Sequence, residues 1–295
     1  IVVFATLLLL LYVPLGILLV HRIDDKTNIN PASALAPSQS HAVEMAAYLI
    51  EREVDTHRWT SNDPFFLPGA WLDRMPAFQR GIINATQRFA LEMADQLGRS
   101  RGSSQIDEAL RKASGLLAYE PDVWIFNFST SVLPTASSDE QYRRAKNLLR
   151  DYNRRVEKGE AVFDPRADNL LAALERVASD LGSSSQQIAD RIQNRPFWDT
   201  NADVDYYFVK GRMYAYLMIL RGLRHDFRSV IEEKRISQVW KKMEDSLAQG
   251  AHMRNFFIFN SAPDSQFLPN HLTAMGFYLL RARTELKEIN DILQK

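Results

Sequence analysis

Residues 213–220 read MYAYLMIL, eight positions without a charge and without alternation of apolar and polar side chains. A helix on a protein surface shows an apolar stripe, whereas one that is apolar all round must be enclosed by other elements. Eight residues are too few to cross a bilayer, which takes about 20 in a helix. The stretch therefore predicts a buried central helix, and with it an all-α domain packed around that helix. Its surroundings agree. From about residue 204 to about 250 the periodicity is helical, punctuated by Gly211, Gly222 and Gly250, and reads as two or more helices.

Outward from this centre the chain is helical almost throughout. Residues 41–54 form a first helix of the domain. Phe78, Ile82, Ala85, Phe89, Met93 and Leu97 line one face of a second, which stops near Gly98. Ser104 is the expected cap of a third, with Ile106, Leu110, Ala113 and Leu117 as its stripe. Ser137 and Glu140 have the spacing of a capping box and open a helix striped by Tyr142, Ala145, Leu148, Leu149, Tyr152 and Val156. Asp164-Pro165 places a cap before a proline at the first helical position, and the following helix is expected to stop at Gly182. Ser184 to Gln187 then repeats the capping pattern for a short helix ended by Pro196. Only runs such as DVWIFNFS at 122–129 look like strand, and one strand makes no sheet.

Residues 1–20, IVVFATLLLLLYVPLGILLV, carry no charge, and as a helix would extend roughly 30 Å, the thickness of a bilayer's hydrocarbon core. They predict a transmembrane anchor ending at residue 22, in which Pro14 and Gly16 are tolerated. A secretory signal peptide is the rival reading, because Ala34-Leu35-Ala36 resembles a cleavage site. The length of the apolar run, the distance to that site and the proline after it weigh against a signal peptide. The chain starts inside the apolar run and without methionine, which implies further residues before Ile1 and removes the flank that would orient a span by charge. Residues 23–40, rich in Asn, Pro and Ser, read as a linker, and 41–295 as one helical domain.

Composition narrows function by exclusion. Lys plus Arg equals Asp plus Glu at 36 each, so no global field favours nucleic acid. The chain has no cysteine, which removes thiol nucleophiles, thiolate metal sites and disulfides together. Its six histidines are scattered without paired-ligand spacing, and no serine-hydrolase or nucleotide-loop signature occurs. His225-Asp226 is the nearest approach to an oriented base, but adjacent residues on a helix point in different directions. No cofactor is implied. The best metal candidate is Asp199, Asn201, Asp203 and Asp205, spaced like the start of a calcium loop. Val204 stands where that loop needs glycine and Lys210 where it needs glutamate, so a loop with Asp203 capping the next helix is the simpler reading. Paired carboxylates acting on peptidoglycan would be the enzymatic alternative, with Asp63, Glu120 and Asp122 the first to test. An envelope ligand sensor is a third reading.

Two features point to interaction instead. Leu272, Met275, Leu279, Ala282, Leu286, Ile289 and Leu293 alternate spacings of three and four, the repeat of a coiled-coil seam that serves inside a bundle or against another chain. NDPFFLPGAWL at 62–72 concentrates Phe65, Phe66 and Trp71 between turn residues, and FLPNHL at 267–272 echoes it. The first reads as a non-helical plug packed into the bundle; were its three rings exposed, it would instead be a docking site.

The run DVWIFNFSTSVLPTASSDEQYRRAKNLLRDYN at 122–153, followed by FDPRADNLLAALERVASDLG at 163–182, resembles an uncharacterised family of single-span bacterial envelope proteins. The resemblance implies an inner-membrane protein of a Gram-negative cell with its helical domain in the periplasm, and brings no assigned chemistry. The combined expectation is a membrane-anchored scaffold or accessory subunit. It would touch lipid through residues 1–20 and bind another envelope membrane protein or itself.

Overall fold

The central helix is α7, Ala202–Asp226, and every residue from Val209 to Leu220 along it is buried. The computed structural model describes residues 2–31, 35–97, 106–126, 133–194, 201–255, 257–262, 265–266 and 268–295, with the backbone alone for 2–10 and 97. α2 (His41–Glu51), α3 (Arg74–Glu92), α6 (Ala167–Gln193), α8 (Arg228–Glu233), α9 (Ser237–Ala251) and α10 (His271–Leu293) pack on α7, α4 (Glu108–Leu117) and α5 (Ser138–Glu157) lie outside α2 and α3, and α1 (Val2–Val20) meets the turn before α3. Short π turns, Arg52–Thr56 and Met93–Leu97, extend α2 and α3, and a 3₁₀ turn, Pro68–Trp71, precedes α3. Among the described residues there is no strand, only an isolated bridge between Asn260 and Asn270.

Two glycines explain how α3 approaches the centre. Gly81 faces the backbone of Phe208 and Arg212, and Gly211 faces the carbonyl of Phe78, so a methyl group at either position would overlap main-chain atoms. The helices cross with their backbones in contact, which only residues without a Cβ permit. Six large aromatic side chains, Trp240, Tyr142, Tyr152, Tyr206, Tyr214 and Tyr216, are fully buried around this crossing. Each phenol finds a partner: Tyr216 Oη donates to Asp180 at 2.6 Å, Tyr152 to the Val162 carbonyl, Tyr142 to the Tyr119 carbonyl and Tyr214 to the Lys26 carbonyl. Tyr206 accepts from Asn255 Nδ2. Buried hydroxyls left unpaired would each cost about 1–3 kcal/mol.

The pairings fix the direction of five helices around α7. Gly222 of α7 lies on Ala42 while Tyr214 meets Arg52, so α2 is antiparallel to α7. Arg224 meets Glu244 and Gly250 lies on Met213, so α9 is too. Ser246 donates to Glu285, which makes α10 antiparallel to α9. Gly182 sits on Arg283 and Gly276 near Ile188, which makes α6 antiparallel to α10. Asn153 bonds Ser40 and Lys146 pairs with Asp55, which sets α5 against α2. The loops therefore sort into two groups. Residues 52–73 and the described parts of 118–137 and 252–270 gather where α7 begins. Residues 36–40, 158–166 and 227–236 gather at the other end, where Phe163 packs on Phe227 and Ser40 bonds Asp226.

Several expected boundaries move. Gly182 does not stop a helix: α6 runs through it to Gln193, and Ser184, read as a cap, is buried inside α6 and bonds back to the Asp180 carbonyl. α6 begins at Ala167 after Arg166, not at Pro165. Asp107 caps α4 by accepting from Ala109 N and Leu110 N, while Ser104 lies outside the described residues, as do Gly98 and Pro196. Ser137 is the cap residue of α5, but its side chain makes no capping bond. Gly211 and Gly222 lie within α7 and Gly250 within α9; the breaks fall at Phe227 and at residues 234–236, where Arg235 takes a left-handed φ of 55°. Residues 122–126 are not strand, and 127–129 lie outside the described residues.

Candidate functional site

Residues 21–30, the last two of the expected anchor and the first part of the expected linker, contain no helix, since α1 ends at Val20, but they are clamped to α7. Lys210, Tyr214 and Arg221 stand four and seven residues apart, the spacing that aligns side chains on one helix face. Lys210 Nζ meets Asp25 at 3.0 Å and the Met253 carbonyl at 2.8 Å; Tyr214 Oη donates to the Lys26 carbonyl at 2.6 Å; Arg221 Nη1 donates to the Thr27 carbonyl at 2.7 Å. Arg254 Nη2 reaches Asp25 from the other side at 2.8 Å. Ile23 and Ile29 pack against the core. Asp25 and Lys210 are both almost wholly buried. Burial alone would raise the Asp25 carboxyl, but hydrogen bonds from Arg254 and Lys210 outweigh it and hold the group below its ordinary range. Burial lowers the Lys210 ammonium, with Asp25 opposing.

A second buried charge group lies beside the first. Glu53 meets Arg52 Nη2 at 2.6 Å and His57 Nδ1 at 3.6 Å, and the Arg52 guanidinium rests 4.5 Å from the centre of the Tyr214 ring. Burial opposes the Glu53 charge, yet Arg52 and His57 keep its pKa below the usual value. His57 also approaches Asp24 of the clamped segment at 3.9 Å. Between the two groups a cavity of about 830 Å³ is lined by His21, Arg22, Lys26, His57, Lys210 and Arg254, among others.

α1 reaches the domain at the same end. Gly16 rests directly on the ring of Pro68, where any side chain would collide, so α1 is packed onto the 3₁₀ turn of NDPFFLPGAWL. Among the described residues no helix is long and apolar enough to cross a membrane; α1 has nineteen uncharged residues, with described side chains from Leu11 onward.

The expected plug is overturned. Phe65, Phe66 and Trp71 are 81%, 50% and 61% exposed, and of this stretch Asn62, Pro68 and Gly69 are buried. The rings are exposed but ordered. Phe65, Phe66, Trp124 and Phe126 follow one another edge to face at 5.5, 5.7 and 5.4 Å. Trp71 Nε1 donates to the Phe65 carbonyl, Leu67 N to the Pro64 carbonyl, and Arg58 holds Asp63 at 2.7 Å. The phenylalanines stay outside because the turn spends its inward positions on Pro68, which Gly16 of α1 covers, and on Gly69, which faces Asp63 and Thr60.

The other expected sites are used structurally. Asp203 pairs with Arg74 at 3.2 Å, Asp205 with Arg191 at 2.5 Å and with Gln187, and Asn201 is the residue before α7; Asp199 lies outside the described residues. Asp203 does not cap α7 but lies in its first turn. Among the described residues no group of acids and histidines is arranged to hold a metal. Asp63 faces Arg58, Asp122 faces Arg80, and Glu120 lines a separate pocket with Trp59 and Tyr142. His225 stacks on His41, and Asp226 accepts from His41 N and Ala42 N, which places a carboxylate at the positive end of α2. The seam residues, Leu272, Met275, Leu279, Ala282, Leu286, Ile289 and Leu293, are buried, with α10 packed on α6 and α9. α10 instead presents Phe277 and Leu280 outward. Sequence reasoning missed Asp25, Lys210 and Arg254. The available signal was a charged side chain, Lys210, three residues before the apolar centre.

No curated protein and no solved structure matches the chain. The model of a family described as an uncharacterized protein conserved in bacteria (DUF2333) matches residues 33–202 and 190–295. With both matches spanning the whole domain that α7 organises, the chain belongs to that bacterial family.

Proposed function

We propose that this protein is a non-catalytic scaffold or accessory subunit of the bacterial cell envelope. It is held in the inner membrane by α1 as a single span, with its helical domain in the periplasm. The observation that carries the reading is the junction: an uncharged helix of nineteen residues leads into a segment gripped at Asp25 by a buried ion pair with Lys210 and a second pair with the exposed Arg254. A grip of this kind fixes a domain relative to its anchor, which suits a part that positions other proteins. Contact with a partner is assigned to the outer face of α10, where Phe277 and Leu280 lie one turn apart and exposed. The partner is another envelope membrane protein or a second copy.

The test is a photo-crosslinking amino acid at position 277 of the intact protein in cells, followed by identification of the adduct. A defined envelope protein in the adduct supports the accessory role, and an adduct of twice the chain's mass supports self-association. Absence of any adduct, with the protein present in the membrane fraction, would sink the proposal.

A further inference from the structure

We infer that the end of the domain from which α1 leaves is a membrane-contacting face, whose aromatic loops rest in the interfacial layer of the bilayer. This rests on the reading of α1 as a span. The first observation is depth. Gly16 lies on Pro68, and Gly16 is four residues inside the end of α1 at Val20; at 1.5 Å per residue the 3₁₀ turn sits about 6 Å below the point where the helix ends. A turn packed at that level of a membrane helix is at the boundary of headgroups and acyl chains.

The second observation is asymmetry. Phe65, Phe66, Trp71, Ile125, Phe259 and Leu268 are large, exposed and apolar, and all lie on the loops gathered where α7 begins. The opposite end exposes one comparable residue, Val162, among Glu157, Lys158, Glu160, Glu232, Glu233 and Lys234. The third is chemistry. Phenylalanine and tryptophan on a fixed turn beside a span have the amphipathic or apolar rings that settle at a membrane surface. The Trp71 indole N–H is already bonded to the Phe65 carbonyl at 3.1 Å, so its ring can enter an apolar layer without carrying an unpaired donor. The domain would thus sit down on the lipid beside its own anchor.

The chain has no cysteine, so single Phe65→Cys, Trp71→Cys, Phe259→Cys, Leu15→Cys and Val162→Cys variants of the full chain each carry one environment-sensitive fluorophore. Each is reconstituted into phosphatidylethanolamine–phosphatidylglycerol vesicles containing lipids with a quencher on the acyl chain. Labels at 65, 71 and 259 are expected to be quenched at least roughly two-fold more than the label at 162, and to be protected from aqueous iodide. If the label at 15 is quenched but those at 65, 71 and 259 behave like 162, the anchor stands and the membrane face is refuted. If the label at 15 is not quenched either, the anchor reading itself fails. Loop labels that iodide cannot reach and lipid does not quench would mean that protein covers this face, which also overturns the inference.

Discussion

At the scale of single residues, the most consequential side chain is Asp25, which stands between Lys210 and Arg254 where composition suggested a solvated linker. Removing its charge leaves the buried Lys210 ammonium without a counterion. Asp25→Asn is expected to destabilise the domain by about 3 kcal/mol, because an uncompensated buried charge is costlier than a lost exposed pair. Urea denaturation checks this, and Asp25→Asn combined with Lys210→Met should recover part of the loss. The pH dependence has a definite sign. Asp25 and Glu53 have folded pKa values below their unfolded ones, so the stability they contribute is complete above the unfolded values of 3.8 and 4.5. It is lost as pH falls below that range through the folded values. In thermal melts from pH 7 to pH 3, the difference between the wild type and Asp25→Asn should be constant down to about pH 5 and narrow below it.

Elements show why some of the fold was legible and some was not. MYAYLMIL gave away the central helix because its composition leaves no face for water, and the observed α7 is buried through that stretch. The stripe of α10 was equally plain from its spacing, but spacing records only that a seam is covered. What covers it, α6 and α9, is a tertiary fact. Leu279→Ala is accordingly expected to cost about 2–5 kcal/mol in stability without changing the oligomeric state seen by light scattering. Glycines misled in a consistent way. Gly182, Gly211 and Gly222 looked like stops, yet each lies inside a helix at a close approach to another element. Gly211→Ala should destabilise by about 1–3 kcal/mol, since the added methyl meets the Phe78 backbone rather than a movable side chain. NDPFFLPGAWL was misread because apolar content was equated with burial; which side of a turn faces inward is decided by what packs on it, and that is Gly16 on Pro68.

At the scale of the whole molecule, the clamp joins α1 to the domain's interior. Lys210 stood out beside the apolar centre, but its pairing could not be found by local pattern, since Asp25 and Lys210 are 185 residues apart in the chain. Limited trypsin digestion reports on it directly. Cleavage after Lys26 should be slow in the wild type, whose Lys26 carbonyl is held by Tyr214, and faster in Asp25→Asn.

The clamp also settles a question of stature. A slack tether over residues 21–40 would wander with a root-mean-square span of about 25 Å, letting the domain hover and swivel. Held at Asp25, Lys26 and Thr27, the chain has little to pay out beyond Val20. With α1 in a bilayer, the molecule is less a float on a mooring than a bracket bolted to a wall. Whatever it meets must come to a fixed altitude, and that altitude is set by how few residues separate the end of a helix from a buried carboxylate.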